Sequence, residues 1–237
     1  MGFTLKNFHI TQEHSAMKVG TDGILLGAWA QGGARILDIG TGTGLLALMM
    51  AQRFPNAYID AIEIDAKALE DATTNTLLSP FNNRISLIHT SLQEYHPDTF
   101  KTDFDNIYDA IVSNPPYFIK SLKSPLQERT IARHTDSLTP HDLLHHASRL
   151  LKDGGLLSII IPSDNKIIIE SEAVFCGLST TKVVNIKTKE SKSPKRCLLE
   201  FKKTLTTPKK ETNVTLMQDN GERSEWYHHL TKDFYIK

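Results

Sequence analysis

Cysteine is scarce in this chain. Cys176 and Cys197 are the only two among 237 residues, and they form no paired spacing, so neither a disulfide scaffold nor a cysteine-based metal site is expected. Long apolar runs are missing as well. No stretch could cross a bilayer, and the N-terminus lacks the charged-then-apolar pattern of a signal segment, so no membrane association and a cytoplasmic location are expected. Net charge is also absent, because 27 Lys plus Arg balance 27 Asp plus Glu. That balance excludes no class of partner. Ten histidines are present without metal spacing, His145-His146 and His228-His229 read as solvated pairs, and no metal is expected. There is no internal repeat and no low-complexity tract.

What is present suits one folded domain over residues 1–237. With 40% hydrophobic and 23% charged residues, the chain can bury one sizeable core. Apolar β-type runs alternate with helical stretches, the α/β pattern of a sheet covered by helices. Strands are expected at 35–39, 57–64, 85–89, 108–113 and 156–161. Helices are expected over 45–54, over about 65–78, after Thr139-Pro140, and over about 164–175. Thr139 followed by Pro140 and Asp142 is the clearest helix start, a cap with its reciprocal acid. Runs 180–188 and 196–204 read as an antiparallel hairpin, and 96–106, 118–139 and 205–226 as loops. Thr21 or Asp22 is expected to cap a short helix whose Ile24, Leu25, Ala28 and Trp29 pack on the sheet. Trp226 and Tyr227 read as core anchors. The working division is 1–33 as an N-terminal segment serving cofactor and substrate, 34–204 as the core, and 205–237 as a tail.

Asp38-Ile39-Gly40-Thr41-Gly42-Thr43-Gly44 follows a strand and precedes a helix. Glycines there allow a sharp turn and let a ligand approach peptide N–H groups. A dinucleotide fingerprint needs glycine where Leu45 stands, so an NAD site fits poorly. Glu63 ends the second strand, about 20 residues on, where an acid can accept hydrogen bonds from ribose hydroxyls. Three glycines could also simply make a tight strand-to-helix turn, and the acid at this position favours the nucleoside reading. Strand, Asp38, glycines and Glu63 together resemble the cofactor site of the class I methyltransferases. That resemblance implies S-adenosyl-L-methionine, with the glycine loop against its methionine part and the acid on its ribose.

Asn114-Pro115-Pro116-Tyr117 closes the fourth strand and carries the chemistry. Consecutive prolines fix φ and supply no N–H, leaving a stiff backbone with free carbonyls. The exocyclic amine of adenine is a poor nucleophile because its lone pair is delocalised into the ring. Two acceptors, the Asn114 amide oxygen and the Pro115 carbonyl, can each hold one amine hydrogen and aim that lone pair at a methyl donor. Tyr117 offers a flat face for a base removed from its stack. Alone, the motif would be a rigid turn; downstream of the glycine loop it resembles the catalytic motif of amine-directed methyltransferases.

The opening Phe8 to Gln12 and Met17 to Trp29, with Asn-Pro-Pro-Tyr-Phe, Ala132-Arg133-His134 and the ending Leu230 to Tyr235, resembles the bacterial tRNA1(Val) (adenine(37)-N6)-methyltransferases over nearly the whole chain. The resemblance implies a Rossmann-like class I methyltransferase fold: a seven-stranded, mostly parallel sheet, helices on both faces, and an antiparallel C-terminal hairpin at one edge. It also implies a monomer acting on tRNA. Glutamine-directed relatives carry an added N-terminal helical domain, and roughly 33 residues before the first strand leave no room for one. Lys18 and Thr21 are expected to meet the methionine part of the cofactor. Ser91 and Leu92 stand where relatives often carry an acid toward the cofactor's adenine.

Arg129, Arg133 and His134, after the motif, and Lys195 and Arg196, between the two hairpin runs, are candidate RNA contacts or plain surface charges. Lys195 and Arg196 fall in a basic stretch, Lys182 to Lys210, with ten Lys or Arg against Glu190 and Glu200. Such a run can neutralise phosphates, although a solvated face also explains it. The same site chemistry could serve ribosomal RNA, DNA adenine or a release-factor glutamine, and a non-catalytic cofactor- and RNA-binding module is the rival of another class. Asn114→Ala separates catalysis from binding. Methyl transfer is expected to fall by at least about a hundredfold while cofactor and RNA affinities stay nearly constant. An equal loss of RNA binding would favour the binding module.

Overall fold

The apolar runs at the centre of the chain are short and rich in branched residues, as the strands of a parallel sheet are. In the computed structural model, which describes residues 2–15, 17–97, 106–116, 138–204 and 208–236, these runs are β3 (Arg35–Ile39), β4 (Tyr58–Glu63), β5 (Ile85–His89) and β6 (Tyr108–Ser113). They are preceded by β1 (Gly2–Thr4), β2 (His9–Thr11) and α1 (Thr21–Trp29), and interleaved with α2 (Leu45–Arg53) and α3 (Ala66–Leu77). Then follow α4 (Pro140–Leu150), β7 (Leu151–Pro162), α5 (Lys166–Phe175), β8 (Leu178–Lys187), β9 (Arg196–Lys203), β10 (Lys210–Thr215) and α6 (Glu225–Thr231).

The main sheet has eight strands in the order β10-β8-β9-β7-β6-β3-β4-β5. Pairing is parallel from β7 through β6, β3 and β4 to β5, and antiparallel where β9 meets β7 and β8. Seven of these strands are the expected mostly parallel sheet with its antiparallel pair. The eighth corrects the reading of 205–226 as loop: β10 pairs in parallel with β8 and takes the edge position expected for the hairpin. Its sequence, Lys-Glu-Thr-Asn-Val-Thr, has no buried residue. Backbone bonding to β8 makes it a strand, and partly buried Val214 is its single apolar residue.

Alternation along each strand divides the core. Ile36, Ala110, Val112, Ile160 and Leu198 join a cluster with α1, α2, Tyr227 and Phe234. Leu37, Ile39, Ile111, Ile159, Ile161 and Leu199 join a second cluster with Leu143, Leu144, Ala147 and Leu150 of α4 and Ile169 and Ala173 of α5. Helices therefore cover both faces, as the period of two demands. Tyr227 is buried, its hydroxyl 2.9 Å from that of Tyr235, and Trp226 packs partly buried on the same cluster.

Thr139 caps α4 with the complete capping box: its side chain accepts from the Asp142 N–H, and Asp142 bonds back to the Thr139 hydroxyl and N–H. The expected cap of α1 is corrected. Gly20 is the N-cap and no side chain bonds there, so Thr21 and Asp22 fall in the first turn. No helix among the described residues is long and apolar enough to cross a membrane.

Candidate active site

Register brings the carboxyl ends of four strands level. Ile39 lies opposite both Ile62 and Ser113, and Glu63 opposite His89. The chain winds outward from β3 to β4 and β5, then crosses back to place β6 on the other flank of β3. A ligand crevice is expected at such a reversal, outside the strand ends. The glycine turn leaves β3 there and Asn114 leaves β6.

Gly40, Gly42 and Gly44 have φ of 70°, 57° and 81°, the left-handed region that favours glycine. A Cβ on Gly40 or Gly42 would meet nothing within 4 Å, so the outer side of the turn is open. From below, the turn is held by N–H bonds from Gly40 and Thr41 to the Ile62 carbonyl, both 3.0 Å. Asp38 lies wholly buried beneath it. One of its oxygens accepts from the Thr41 hydroxyl at 2.6 Å and the Ala47 N–H at 3.0 Å; the other has no hydrogen-bond partner. Burial pushes its pKa up to about 7, despite those two bonds, and the nearby Glu63 charge adds to the rise. Glu63 accepts the Gly42 N–H at 2.8 Å on one oxygen, and the Ile64 and Asp65 N–H groups at 2.9 and 3.0 Å on the other. It therefore braces the turn.

At the end of β5, Thr90 donates its N–H to the Glu63 carbonyl at 3.0 Å. The Ser91 hydroxyl bonds the Glu94 N–H and carboxylate, and Leu92 is buried. At the end of β6, the Ser113 hydroxyl donates to the Ile39 carbonyl at 2.8 Å. That bond ties the start of the Asn-Pro-Pro motif to the strand carrying the glycine turn. Asn114 is half-buried, with its Nδ2 3.9 Å from the Met17 sulfur; Pro115 is buried and Pro116 exposed. Tyr117, Arg129, Arg133 and His134 lie outside the described residues.

The N-terminal segment reaches this crevice by contacts that composition did not signal. Asp71, in α3, accepts the N–H groups of Glu13, His14 and Ser15 and the Ser15 hydroxyl. Burial disfavours its charge, but these four donors outweigh burial and hold its pKa below the ordinary carboxyl value. One helical turn on, Asn75 pairs with the backbone of Thr11 through both ends of its amide and also donates to the Thr43 carbonyl at 2.9 Å. A signal for both residues existed. Ala68, Asp71, Ala72, Asn75 and Thr76 form the buried stripe of α3, where two strongly polar side chains demand partners.

Lys18 is exposed and donates its ammonium to the Gln12 carbonyl, while the Gln12 side chain accepts the Val19 N–H at 2.7 Å. Thr21 is exposed at the start of α1. Two residues later, a Cβ on Gly23 would lie 2.9 Å from Leu45, the residue after the glycine turn. Arg196 opens β9 and pairs with Asp22 at 2.8 Å, and Lys195 beside it is exposed. The described groups suit a nucleoside with a cationic amino-acid end: an acid at the end of β4, an unpartnered carboxylate oxygen under the turn, two glycines open to the crevice, and apolar Leu92.

The methyltransferase small domain family matches residues 14–184. Across the chain's full length, the tRNA1(Val) (adenine(37)-N6)-methyltransferase of Parabacteroides distasonis is 44% identical over 238 residues, 99% of this chain and 98% of the relative. The protein of the same description from Haemophilus influenzae strain PittEE is 43% identical, covering 100% and 99%. Among solved structures, a predicted O-methyltransferase of Agrobacterium tumefaciens superposes with a TM-score of 0.69 at 19% identity, covering 90% of this chain and 96% of that one. M. jannaschii TYW2 in complex with AdoMet superposes with a TM-score of 0.56 at 14% identity, covering 82% and 81%. These two likenesses establish the fold.

Two outcomes follow from the buried acids. An acid whose folded pKa is raised stabilises the fold fully below its unfolded pKa and loses that contribution as pH rises through the folded value. Asp38 should therefore cost the ligand-free protein stability between about pH 4 and about pH 7. Melting temperatures of Asp38→Asn relative to wild type are expected to be more favourable at pH 8 than at pH 5; a constant difference would show that Asp38 does not titrate there. Asp71→Ala leaves four donors without their acceptor and is expected to cost about 2–3 kcal/mol. Amide exchange should accelerate at residues 13–15 while β3 and β6 stay protected, and unchanged exchange at 13–15 would remove Asp71 as the clamp.

Proposed function

Since the chain belongs to the methyltransferase small domain family and, over its full length, to the tRNA1(Val) (adenine(37)-N6)-methyltransferases, we propose that it methylates the exocyclic amine of the corresponding adenine in valine tRNA, using S-adenosylmethionine. The observation that carries this reading is the juxtaposition of Asn114-Pro115 with the glycine turn, held by the 2.8 Å bond from Ser113 to the Ile39 carbonyl. That closeness supports an acceptor pair for an amine beside a nucleoside site.

Bound S-adenosylmethionine supplies a methyl group activated by the adjacent sulfonium charge. Glu63 is assigned to the ribose hydroxyls, Ser91 and Leu92 to the adenine end, and Asp38, Gly40, Gly42, Gly44, Lys18 and Thr21 to the methionine end. The Asn114 amide oxygen and the Pro115 carbonyl each accept one hydrogen bond from the target amine, directing its lone pair toward the methyl group. Pro116 keeps that backbone stiff, and Tyr117 supplies the stacking face. No covalent intermediate is required, so positioning and hydrogen bonding are the protein's contribution. Arg129, Arg133, His134, Lys195 and Arg196 are assigned to tRNA phosphates, with Arg196 leaving Asp22 to serve there. One copy of the chain supplies every residue in this scheme, so we assign a monomer acting in the cytoplasm, where tRNA is found.

The test is radiolabelled methyl transfer from S-adenosylmethionine to total tRNA, ribosomal RNA, DNA and release factor offered separately, with digestion and mass analysis. N6-methyladenosine confined to valine tRNA is the expected outcome. Label in another pool would keep the chemistry and overturn the substrate, and no label in any pool would overturn catalysis.

A further inference from the structure

On the face of the sheet covered by α4 and α5, two i, i+4 pairs meet. His141 and His145 lie one turn apart on α4, and Glu172 lies one turn before Cys176, which caps the C-terminus of α5. The helices are packed beneath them through Leu143, Leu144 and Ala147 on one side and Ile169 and Ala173 on the other. The His141 Nδ1 is 2.6 Å from the Glu172 carboxylate, and one ligand atom each from His141, Glu172 and Cys176 lies within 4.8 Å of the others. The His145 ring stacks on that of His141, with centroids 5.6 Å apart and planes 11° from parallel. The Cys176 N–H bonds to the carbonyls of Glu172 and Ala173, so the backbone carrying the thiol is fixed.

We propose that His141, Glu172 and Cys176 form a metal site, with zinc as its ion, that joins the first turn of α4 to the last turn of α5. One imidazole nitrogen, one carboxylate oxygen and one thiolate sulfur are the donor types zinc takes, and water or His145 completes a tetrahedron. Zinc–ligand bonds of about 2.0–2.3 Å put tetrahedral ligand atoms roughly 3.3–3.8 Å apart. The present spread therefore closes by about 1 Å, a movement within reach of the side-chain torsions of His141 and Glu172, whose side chains are 60% and 31% exposed. The ion replaces the His141–Glu172 pair, and the thiol proton goes to solvent as the thiolate binds. Each helix alone offers only one i, i+4 pair to this cluster. The site exists only because the fold brings together residues 31 positions apart.

The test uses the full chain, stripped with a chelator and kept reduced. Cobalt(II) is expected to give a thiolate-to-metal charge-transfer band at one equivalent. Zinc at a hundredfold excess over its Kd should raise the melting temperature by about 5–10 °C. Cys176→Ser should melt like wild type without metal, lose the band and lose most of the zinc shift, and His141→Ala should weaken cobalt binding at least about tenfold. Cys197→Ser should keep both signals. Absence of the band, an equal zinc shift in Cys176→Ser and wild type, or a band that follows Cys197 would each overturn the site.

Discussion

Everything at the candidate site depends on how β3 is paired. Its core residues Ile36 to Ile39 are buried by neighbours on both flanks, β4 and β6, in registers that leave Ile39, Ile62 and Ser113 level. A slip of one residue in β3 would exchange its two faces. Leu37 and Ile39 would leave the cluster of α4 and α5, and Asp38 would lose Thr41 and Ala47. Pairing, apolar burial and the seat of the glycine turn thus specify the same register. The crossover from β5 back to β6 then opens the crevice at that level.

Three buried acids surround this frame, and for Asp38 and Asp71 the balance of burial against hydrogen-bond donors sets how readily the charge is kept. Charge is costly in a protein interior unless hydrogen bonds replace its hydration. Asp71 receives four donors and stays ionised more readily than an ordinary carboxyl group. Asp38 receives two, both on one oxygen, and its charge is disfavoured. Glu63 spends both oxygens on loop N–H groups. The acids act as backbone acceptors that shape the loops around the crevice, and Asp38 alone keeps an oxygen without a partner.

The parts of this design that were legible in the sequence are those carried by periodicity and turn chemistry. Branched runs marked β3 to β6, the glycines required their left-handed turn, and Thr139-Pro140 with Asp142 marked the start of α4. Elements held by backbone bonding alone left no such mark. β10 is polar except for Val214 because an edge strand with no fully buried residue needs no apolar pattern. The Gly20 cap was hidden because glycine offers no side chain to read, so the neighbouring Thr21 and Asp22 drew the assignment. Asp71 and Asn75 have partners 56–64 residues away, a distance no local pattern spans. The paired side chains of α4 and α5 were hidden for the same reason. Asn114-Pro115 was readable because one short segment contains both acceptors.

Asn75 is a shared hinge pin. Its amide holds Thr11 through both N–H and carbonyl while reaching the Thr43 carbonyl within the glycine turn. The N-terminal strand pair and the glycine turn therefore draw on one side chain. Any coupling carried by that side chain is reciprocal: if stiffening the turn tightens the N-terminal strand pair, then strain on that pair loosens the turn by the same free energy.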